Sequence, residues 1–420
     1  MGTREQWKLQ SRGFPISIRK YAWPVFLSLA VALLAGRTSS LVDSGEGPAP
    51  LGVSLNLPTS YIATSPVSRV LDALTLLSNP QTAALFITIA AIVLPLLIRT
   101  RSRSRRRPWV RGLLGSGYLL LVLVALEAAV IFAPRPMAYI GVTDTNVVRV
   151  DFHSHTRASR DANQRFTAED RRSWHRDGGF DVGYITDHVR FGGAVEAAHN
   201  NPVRAGDGVS ELSAVEGRYH KILSTIMLGL TQADTAVLDG KGHLLPGTPS
   251  SGRGPVTIVA LPNGNIDSVT VESVDSLPHF AGMELVDAAP RGLGQLDREE
   301  AKVRRIAHAA GLILVAASNN HGYGRTVAAW NLMSIPGWRE LSPDSVGRLI
   351  EQPFRDRQTG AVVIVKRLRP RTHGAQLIFT LPVLSWQILG ALTLAERAVW
   401  LGWIWGITAI TMALRSRRHS

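Results

Sequence analysis

The sequence VVRVDFHSHT, residues 147–156, is the stretch around which this chain is organised. Branched apolar residues on both sides of Arg149 predict a short buried strand. Two histidines, His153 and His155, follow at its C-terminal end. Because residues i and i+2 of an extended chain project to the same side, both imidazoles can point at one place. That geometry suits a borderline metal such as zinc, manganese or iron, and two structural histidines are the alternative.

Composition restricts the ligands that such a metal could have. The 420-residue chain has a net charge of +14 and no cysteine, which excludes disulfides and thiolate metal sites. Seven of its arginines lie within residues 99–111, between two long apolar segments. This position favours a cytoplasmic loop that follows the positive-inside rule over a nucleic-acid-binding tract. No nucleic-acid partner is therefore expected.

Apolar segments flank a polar middle region and predict about five transmembrane α-helices, three before it and two after it. The first is short and could be the hydrophobic core of a cleaved signal peptide, but the spans that follow favour a retained anchor. The third contains a single acid, Glu127, which is either functional at membrane depth or close enough to the headgroups to reach them. In chain order, the predicted organisation is a cytoplasmic N-terminus (1–20), a transmembrane helix or signal anchor (21–36), an exposed segment (37–80) with an amphipathic helix around 67–77, a transmembrane helix (82–98), the arginine-rich cytoplasmic loop (99–111), a transmembrane helix (113–133), the polar domain (134–371) and two final transmembrane helices (377–394 and 398–414).

The polar domain alternates short apolar runs with helix-like stretches. Strands that alternate with helices predict an α/β fold, built on a parallel sheet or a barrel. The seven candidate strands are residues 147–152, 181–186, 212–215, 256–261, 282–286, 312–317 and 361–366.

Residues that can bind a metal follow four of these strands. In α/β sheets and barrels the carboxyl ends of the strands share one face, and sites assemble there. Coincidence becomes improbable when four strands end in this way. In chain order the residues are His153, His155 and Asp161, then Asp187 and His188, then Glu216 and His220, and finally Asn319 and His321.

These residues resemble those of the PHP (polymerase and histidinol phosphatase) superfamily over residues 147–325. The resemblance depends on the order and spacing of Asp-Phe-His-Ser-His-Thr, Ile-Thr-Asp-His, the strand with glutamate and Ser-x-x-His-Gly. It implies a distorted (β/α)7 barrel that holds one to three divalent ions of zinc, manganese or iron. It also implies a hydrolase that acts on a small phosphorylated or ester substrate, most simply a phosphoesterase.

The resemblance carries over individual roles. His153 and His155 resemble the ligands of the first metal, and Glu216 resembles the carboxylate that bridges two metals. Asp187 is expected to orient His188 or a neighbour, as metal-bound imidazoles usually require, and this pair is the candidate catalytic group. The other ligands that the resemblance implies are Asp161, His188 and His321 for a third metal, His220 after the bridging glutamate, and Asn319 near the end.

Two positions depart from the family pattern. Leu261 stands where relatives usually have a histidine, and Asn319 stands where they usually have an aspartate. Asparagine still offers a neutral carbonyl, whereas leucine offers no ligand. The metal position between Glu216 and Leu261 is therefore expected to be weak or empty. A degenerate domain that senses a metal or ligand without turnover is the alternative function.

Two arginines beside these motifs, Arg218 and Arg325, are candidate substrate-binding residues. A guanidinium can contact a phosphate with two parallel hydrogen bonds, which makes arginine the usual residue for this purpose. Solvated arginines in loops are an equally good interpretation.

The distribution of basic residues predicts that the domain lies outside the cytoplasm. A cytoplasmic arginine loop followed by one crossing, at 113–133, exports the domain to the periplasmic or extracellular side of a bacterial inner membrane. The C-terminal segments conflict with this placement, since two further crossings would leave a basic tail outside. Membrane lipid is the second expected partner.

Overall fold

The computed structural model describes residues 14–43, 50–100, 108–219, 223–237, 254–260 and 280–417. Its α-helices are α1 (Phe14–Leu34), α2 (Thr59–Ala63), α3 (Ser65–Thr75), α4 (Asn79–Thr100), α5 (Pro108–Phe132), α6 (Ala168–Gly178), α7 (Gly192–Ala198), α8 (Pro290–Ala309), α9 (Pro343–Arg355), α10 (Thr380–Gly390) and α11 (Leu394–Ser416). Its strands are β1 (Leu41–Asp43), β2 (Val53–Asn56), β3 (Tyr139–Val142), β4 (Val147–Ser154), β5 (Val182–Ile185), β6 (Ser210–Tyr219), β7 (Leu223–Leu228), β8 (Val256–Val259), β9 (Phe280–Asp287), β10 (Ile313–Ala317), β11 (Ala329–Ser334) and β12 (Val363–Arg367).

Ten of the described strands form one mixed sheet, in the order β1-β12-β11-β4-β5-β6-β7-β8-β9-β10, and β2 pairs with β3 outside it. Pairing is parallel from β4 through β6 and again from β8 through β10. Strand β7 is antiparallel to both of its neighbours. Only residues 220–222 separate β6 from β7, which is too short for the crossover that parallel strands need. The predicted α/β fold is confirmed, but its sheet is mixed.

The sheet curls until β10 lies beside β4. The backbone N–H of Asn319 donates to the carbonyl of His153 at 2.9 Å, and that of His155 donates to the carbonyl of Asn320 at 3.2 Å. The side chain of Asn331, on β11, fastens the same seam because its amide donates to one carbonyl of each strand region. Curling therefore brings the first and last parts of the histidine motif to one place.

Apolar side chains hold β4 in the centre of this sheet. Val148, Val150 and Phe152 are each 0–1% exposed. Phe152 also stacks on Tyr184 of β5, with ring centroids 5.8 Å apart, and meets Phe354 of α9 edge to face at 5.4 Å. Burying a side chain of this size contributes about 1.5–3 kcal/mol. The strand that carries the first two histidines is thus anchored by its own apolar residues.

The sequence predicted an exposed segment at residues 37–80, but parts of this segment are buried. Helix α3 covers most of the predicted amphipathic stretch, and its Arg69 and Asp72 are 4% and 0% exposed. The segment is a joint between the apolar helices and the sheet, because its charged residues have buried partners that lie far away in the sequence. The donors to the Asp72 carboxylate are Tyr61, Arg135, Thr326 and Arg367.

Three helical segments among the described residues are long and apolar enough to cross a membrane. These are Asn79–Leu96 in α4, Gly112–Phe132 in α5 and Leu394–Ser416 in α11. The sequence predicted about five spans, and by length and composition the structure has three candidates. The other two apolar helices, Tyr21–Leu34 and Gly374–Gly390, are shorter.

Helix α10 is short because the chain stays beside the sheet domain at both of its ends. At its start, the hydroxyls of Thr372 and Thr380 are 2.8 Å apart. Near its end, the side-chain amide of Gln387 donates to the carbonyl of Arg369 at 3.2 Å. Helix α10 consequently runs along the domain instead of away from it.

Helices α1, α4, α5 and α11 each have one end at the domain. The carbonyl of Ile131, at the end of α5, accepts from Gly324 at 2.9 Å. At the start of α11, Glu396 pairs with Arg69 at 2.7 Å. At the start of α4, the side-chain amide of Gln81 donates to the carbonyl of Thr372. After α1, the backbone N–H of Arg37 donates to the carbonyl of Gly390. At 1.5 Å per residue, the opposite helix ends lie roughly 30 Å from the domain.

Candidate metal centre

Four histidines converge where the curled sheet brings the ends of β4, β5, β6 and β10 together. The Nε2 atoms of His153 and His155 face each other at 2.9 Å. Both side chains are buried, at 2% and 0% exposure. The pair projects to one side because the two residues are i and i+2 in an extended strand. The convergence expected from the sequence is present.

Glu216, at the end of β6, supplies a carboxylate at the middle of the cluster. Its Oε2 lies 3.3 Å from His153 Nε2, 3.5 Å from His155 Nε2 and 3.0 Å from His188 Nδ1. Its Oε1 accepts a hydrogen bond from Ser224 of β7. A backbone bridge between His188 and Glu216 extends the β5–β6 pairing and sets this register.

Asp161 and His321 form the exposed side of the cluster. Asp161 Oδ2 lies 3.3 Å from His188 Nε2 and 3.4 Å from His321 Nε2, and its side chain is 60% exposed. His321 Nδ1 donates to the carbonyl of Asn319 at 3.0 Å. Since a carbonyl only accepts, this contact puts the proton on Nδ1 and leaves a lone pair on Nε2, where a metal could bind.

The donor atoms fit a divalent ion. Two overlapping groups, one of His153, His155 and Glu216 and the other of His155, His188 and His321, each have their ligand atoms within 4.8 Å of one another. Ligands in tetrahedral bonds to zinc are about 3.4 Å apart, close to the separations around Glu216. Imidazole and carboxylate suit zinc, manganese and iron.

Buried acceptors behind the cluster orient two of the imidazoles. Glu284 Oε1, on β9, lies 2.7 Å from His153 Nδ1, and Ser159 Oγ lies 3.0 Å from His155 Nδ1. Each contact turns the Nε2 of the ring toward Glu216, as metal-binding histidines generally need. The sequence analysis missed both partners. An acid inside the apolar run of residues 280–287 was the one available indication of Glu284.

Asp187, expected from the sequence to orient His188 or a neighbour and paired with His188 as the candidate catalytic group, lies behind His155, outside the converging ligand atoms. Its Oδ1 accepts from the backbone of Thr156 at 2.7 Å and from Ser159 Oγ at 2.9 Å, and its Oδ2 accepts from the Thr156 hydroxyl at 2.7 Å. Both oxygens are thus occupied. Asp187 holds Ser159, which in turn holds His155, so its place is that of a positioning residue.

The charges of the cluster change the pKa values of its histidines. Burial opposes the change, but Glu284 and Glu216 raise the pKa of His153 well above its ordinary value. In the same way, Glu216 outweighs burial and raises the pKa of His188. Burial and the neighbouring imidazoles lower the pKa of His155 well below its ordinary value. His155 is therefore neutral, the form in which histidine binds a metal.

Asn319, one of the two departures from the family pattern, faces an acid. Its Nδ2 donates to Asp287 Oδ2 at 3.2 Å, while its Oδ1 has no hydrogen-bond partner among the described residues. Burial and the charge of Glu284 raise the pKa of Asp287 to about 7. Two acids, Glu284 and Asp287, thus lie on the side where Asn319 brings no negative charge.

A further buried histidine supports the site from below. His175 is 0% exposed. Its Nε2 lies 3.1 Å from Asp151 Oδ2 and its Nδ1 lies 2.8 Å from Glu211 Oε1. Asp151 Oδ1 also accepts the backbone N–H groups of His153 and Ser318. This polar chain joins β4 to the end of β10 directly beneath the cluster.

The other predicted site residues are placed differently. Arg325 pairs with Asp177 at 2.5 Å and donates to the carbonyl of Arg135. Arg218 is exposed at the end of β6. The predicted ligand His220 and the departure at Leu261 lie outside the described residues.

Solved structures share a distant similarity in fold with this chain. An amidohydrolase from Chromobacterium violaceum is 16% identical, with 52% of this chain and 97% of that chain covered and a TM-score of 0.32. A proposed metal-dependent phosphoesterase from Bifidobacterium adolescentis is also 16% identical, with 48% and 95% covered and a TM-score of 0.29. The lesion-specific endonuclease PfuEndoQ from Pyrococcus furiosus is 13% identical, with 49% and 56% covered and a TM-score of 0.35.

No protein-family model and no curated protein matches the sequence. The chain is thus distantly similar in fold to metal-dependent phosphoesterases and amidohydrolases and to an endonuclease. Its function has to be inferred from the side chains of its own cluster.

Proposed function

We propose that this protein is a membrane-anchored, divalent-metal-dependent hydrolase, and most specifically a phosphoesterase. The observation that supports this function is the convergence of four histidines and two carboxylates from four strand ends. We also propose that the curled part of the sheet, strands β4 to β10, is the distorted (β/α)7 barrel that the PHP resemblance implies.

The metal ligands in this proposal are the residues of the two overlapping groups. His153, His155 and Glu216 would hold one ion, while His188 and His321 would hold a second together with Asp161. Bound divalent ions lower the pKa of water and neutralise the charge of a phosphoryl group. Glu216 belongs between the two positions, because its Oε2 contacts imidazoles of both groups.

The protein's own residues fix this arrangement before any substrate arrives. Glu284 and the Asp187–Ser159 pair set the two buried rings, so that little reorganisation accompanies the reaction. His188 is 36% exposed at its side chain and lies beside the open carboxylate of Asp161. Its Nε2 faces Asp161 on the side from which a substrate would enter, where the second ion would bind.

The proposed membrane topology places the domain on the periplasmic or extracellular side. Helices α4, α5 and α11 cross, together with α1, whose apolar part Tyr21–Leu34 is shorter but which has 21 residues in all. Helix α10 lies along the domain. The basic residues near the far helix ends then share one side, the cytoplasm, as the positive-inside rule requires. These residues are Arg19 and Lys20 in α1, Arg99 in α4, Arg111 in α5 and Arg415 in α11. The C-terminal conflict noted in the sequence disappears, since α10 does not cross.

The second candidate function is a degenerate domain that binds a metal or ligand without turnover. Asn319 favours it, because its amide is neutral and donates to Asp287 instead of facing a metal with a charge. Glu284 and Asp287 favour the hydrolase, because they supply negative charge on the same side.

Metal content and hydrolysis test the proposal together. The purified full-length protein is assayed for bound metal and for turnover of an aryl phosphate with added manganese or zinc. Replacing His153 and His155 together by alanine should abolish both while the protein stays folded. His199→Ala changes an exposed histidine and serves as the matched control. Unchanged metal content in the double variant would contradict the site, and metal without turnover in the wild type would favour the sensor.

A further inference from the structure

A cavity of about 730 Å³ lies between helices α4 and α5 and the loop that follows β10. Its volume falls within the range of about 300–1,000 Å³ that is typical of small-molecule sites. The helical wall is mostly apolar and includes Leu77, Phe86, Val130 and Ile131. The opposite wall is more polar and includes Ser318, Asn320 and His321, of which His321 belongs to the histidine cluster.

The cavity and the metal cluster share His321, and Asn319 next to it also lines the cavity. The loop that carries these residues is fixed directly to the end of α5. Gly324 donates its backbone N–H to Ile131 at 2.9 Å, and Tyr323 meets Phe132 edge to face at 6.0 Å. Among the described residues, no further element separates the apolar wall from the candidate ligand His321.

The cavity extends along the two helices, away from the cluster. Its lining continues from Asn79 to Phe86 in α4 and from Phe132 back to Glu127 in α5. Seven residues of α-helix correspond to roughly 10 Å. Both helices are long and apolar enough to cross a membrane, so the distant part of the cavity faces the depth at which lipid chains lie.

Glu127 adds a charge preference to this geometry. It is the acid in the helical wall, about five residues from the domain end of α5. A carboxylate there repels an anionic headgroup that enters between the helices. A phosphate therefore belongs at the cluster end of the cavity and an apolar chain at the helix end.

We propose that the substrate is a membrane lipid with a phosphoester headgroup, whose acyl chain occupies the cavity between α4 and α5. This inference rests on the proposed hydrolase function, because it places the phosphoester at the histidine cluster. A water-soluble phosphoester would use the cluster but leave the apolar wall uncovered. The lipid alone uses both walls.

Photo-crosslinking tests the binding step without turnover. Full-length protein in nanodiscs is stripped of metal with a chelator and irradiated with phosphatidic acid that carries a diazirine on its acyl chain. Crosslinks are expected in the wild type at the cavity-lining residues of α4 and α5. Ala83→Trp, which fills the cavity, should lower them about tenfold. Ala91→Trp, on the same helix outside the cavity, should not. Crosslinks confined to the outer faces of the helices, or equal in Ala83→Trp, would overturn the inference.

Turnover separates this inference from the proposed function. In the manganese-loaded protein, Ala83→Trp should lose about tenfold in kcat/KM on phosphatidic acid and keep its rate on a soluble aryl phosphate. If Ala83→Trp lost activity on neither substrate, the lipid assignment would be overturned and the proposed hydrolase function would remain. If the wild type hydrolysed neither substrate, the proposed hydrolase function would be overturned. The crosslinks would still show whether an acyl chain occupies the cavity.

Discussion

At the residue scale, the cluster depends as much on the partners of the histidines as on the histidines themselves. His153 and His155 each have one ring nitrogen toward Glu216 and the other on a buried oxygen, of Glu284 and Ser159 respectively. Such outer partners fix the ring and its tautomer, and they usually matter for metal affinity.

Glu284→Gln should weaken metal binding by about 10–100-fold, because it removes the charge that orients His153. The substitution keeps the shape of the side chain. Metal affinity is measured by competition with a chelator of known strength. Glu340→Gln is the matched control, since Glu340 is 74% exposed at its side chain and pairs only with Arg204 among the described residues. Equal affinities in the two variants would remove Glu284 from the site.

Metal affinity should fall early as the pH is lowered. Although burial opposes it, Glu284 and Glu216 raise the pKa of His153, and Glu216 raises that of His188. A histidine with a raised pKa is protonated at a higher pH, and a protonated ring cannot bind a metal. Affinity should therefore decline already above pH 6.5, the ordinary histidine value, when measured from about pH 9 downward. A constant affinity down to that pH would contradict the raised values.

Restoring the family residue at Asn319 should strengthen metal binding. In Asn319→Asp a second carboxylate faces Asp287, which disfavours the metal-free protein by repulsion and favours a bound cation. The backbone accepts the change, since Asn319 has a φ of 42° and aspartate also tolerates that region. Metal occupancy should rise, and further with Leu261→His. Unchanged occupancy and activity would show that these positions are wrongly assigned.

At the scale of elements, helix α3 joins the apolar helices to the sheet. Asp72 accepts hydrogen bonds from four side chains, which come from α2, from the stretch after α5, from the loop before β11 and from the last residue of β12. Two of these donors are the guanidinium groups of Arg135 and Arg367, and both are buried.

Asp72→Asn should therefore destabilise the protein strongly. The substitution leaves two buried guanidinium groups without their counter-charge, which costs about 3–5 kcal/mol when a buried pair is broken. The free energy of unfolding is measured in denaturant on the detergent-solubilised protein. Asp207→Asn, at an exposed position, should change it little. A small effect at Asp72 would mean that α3 does not hold the helices to the sheet.

At the scale of the whole molecule, the far ends of α1, α4, α5 and α11 collect the basic residues, and the domain occupies the near ends. The proposed topology assigns these two ends to opposite sides of the membrane.

Labelling of single cysteines tests this topology, because the natural chain contains no cysteine. Val203→Cys lies in the domain at an 86% exposed position. In spheroplasts it should react with a membrane-impermeant maleimide. Ser104→Cys, within the arginine-rich segment, should react only after the membrane is opened. Protection of Val203→Cys until lysis would place the domain in the cytoplasm.

The sequence by itself determined the α/β class, all seven candidate strands and the convergence of His153 with His155. These features depend on neighbours in the chain, namely apolar runs, i to i+2 spacing and polar residues at strand ends. For the same reason it placed Glu216, His188 and His321 at the right strand ends.

Tertiary structure alone decided which side chains meet. The reversal at β7, the partners Glu284 and Ser159, the place of Asp187 behind His155 and the ion pair that occupies Arg325 all depend on contacts between distant parts of the chain. The same holds for α10 and for the cavity beside His321. A linear pattern records which face a residue takes along its own strand or helix. It does not record the curl of a sheet, and here that curl brings β10 to β4 and the site to the ends of the apolar helices.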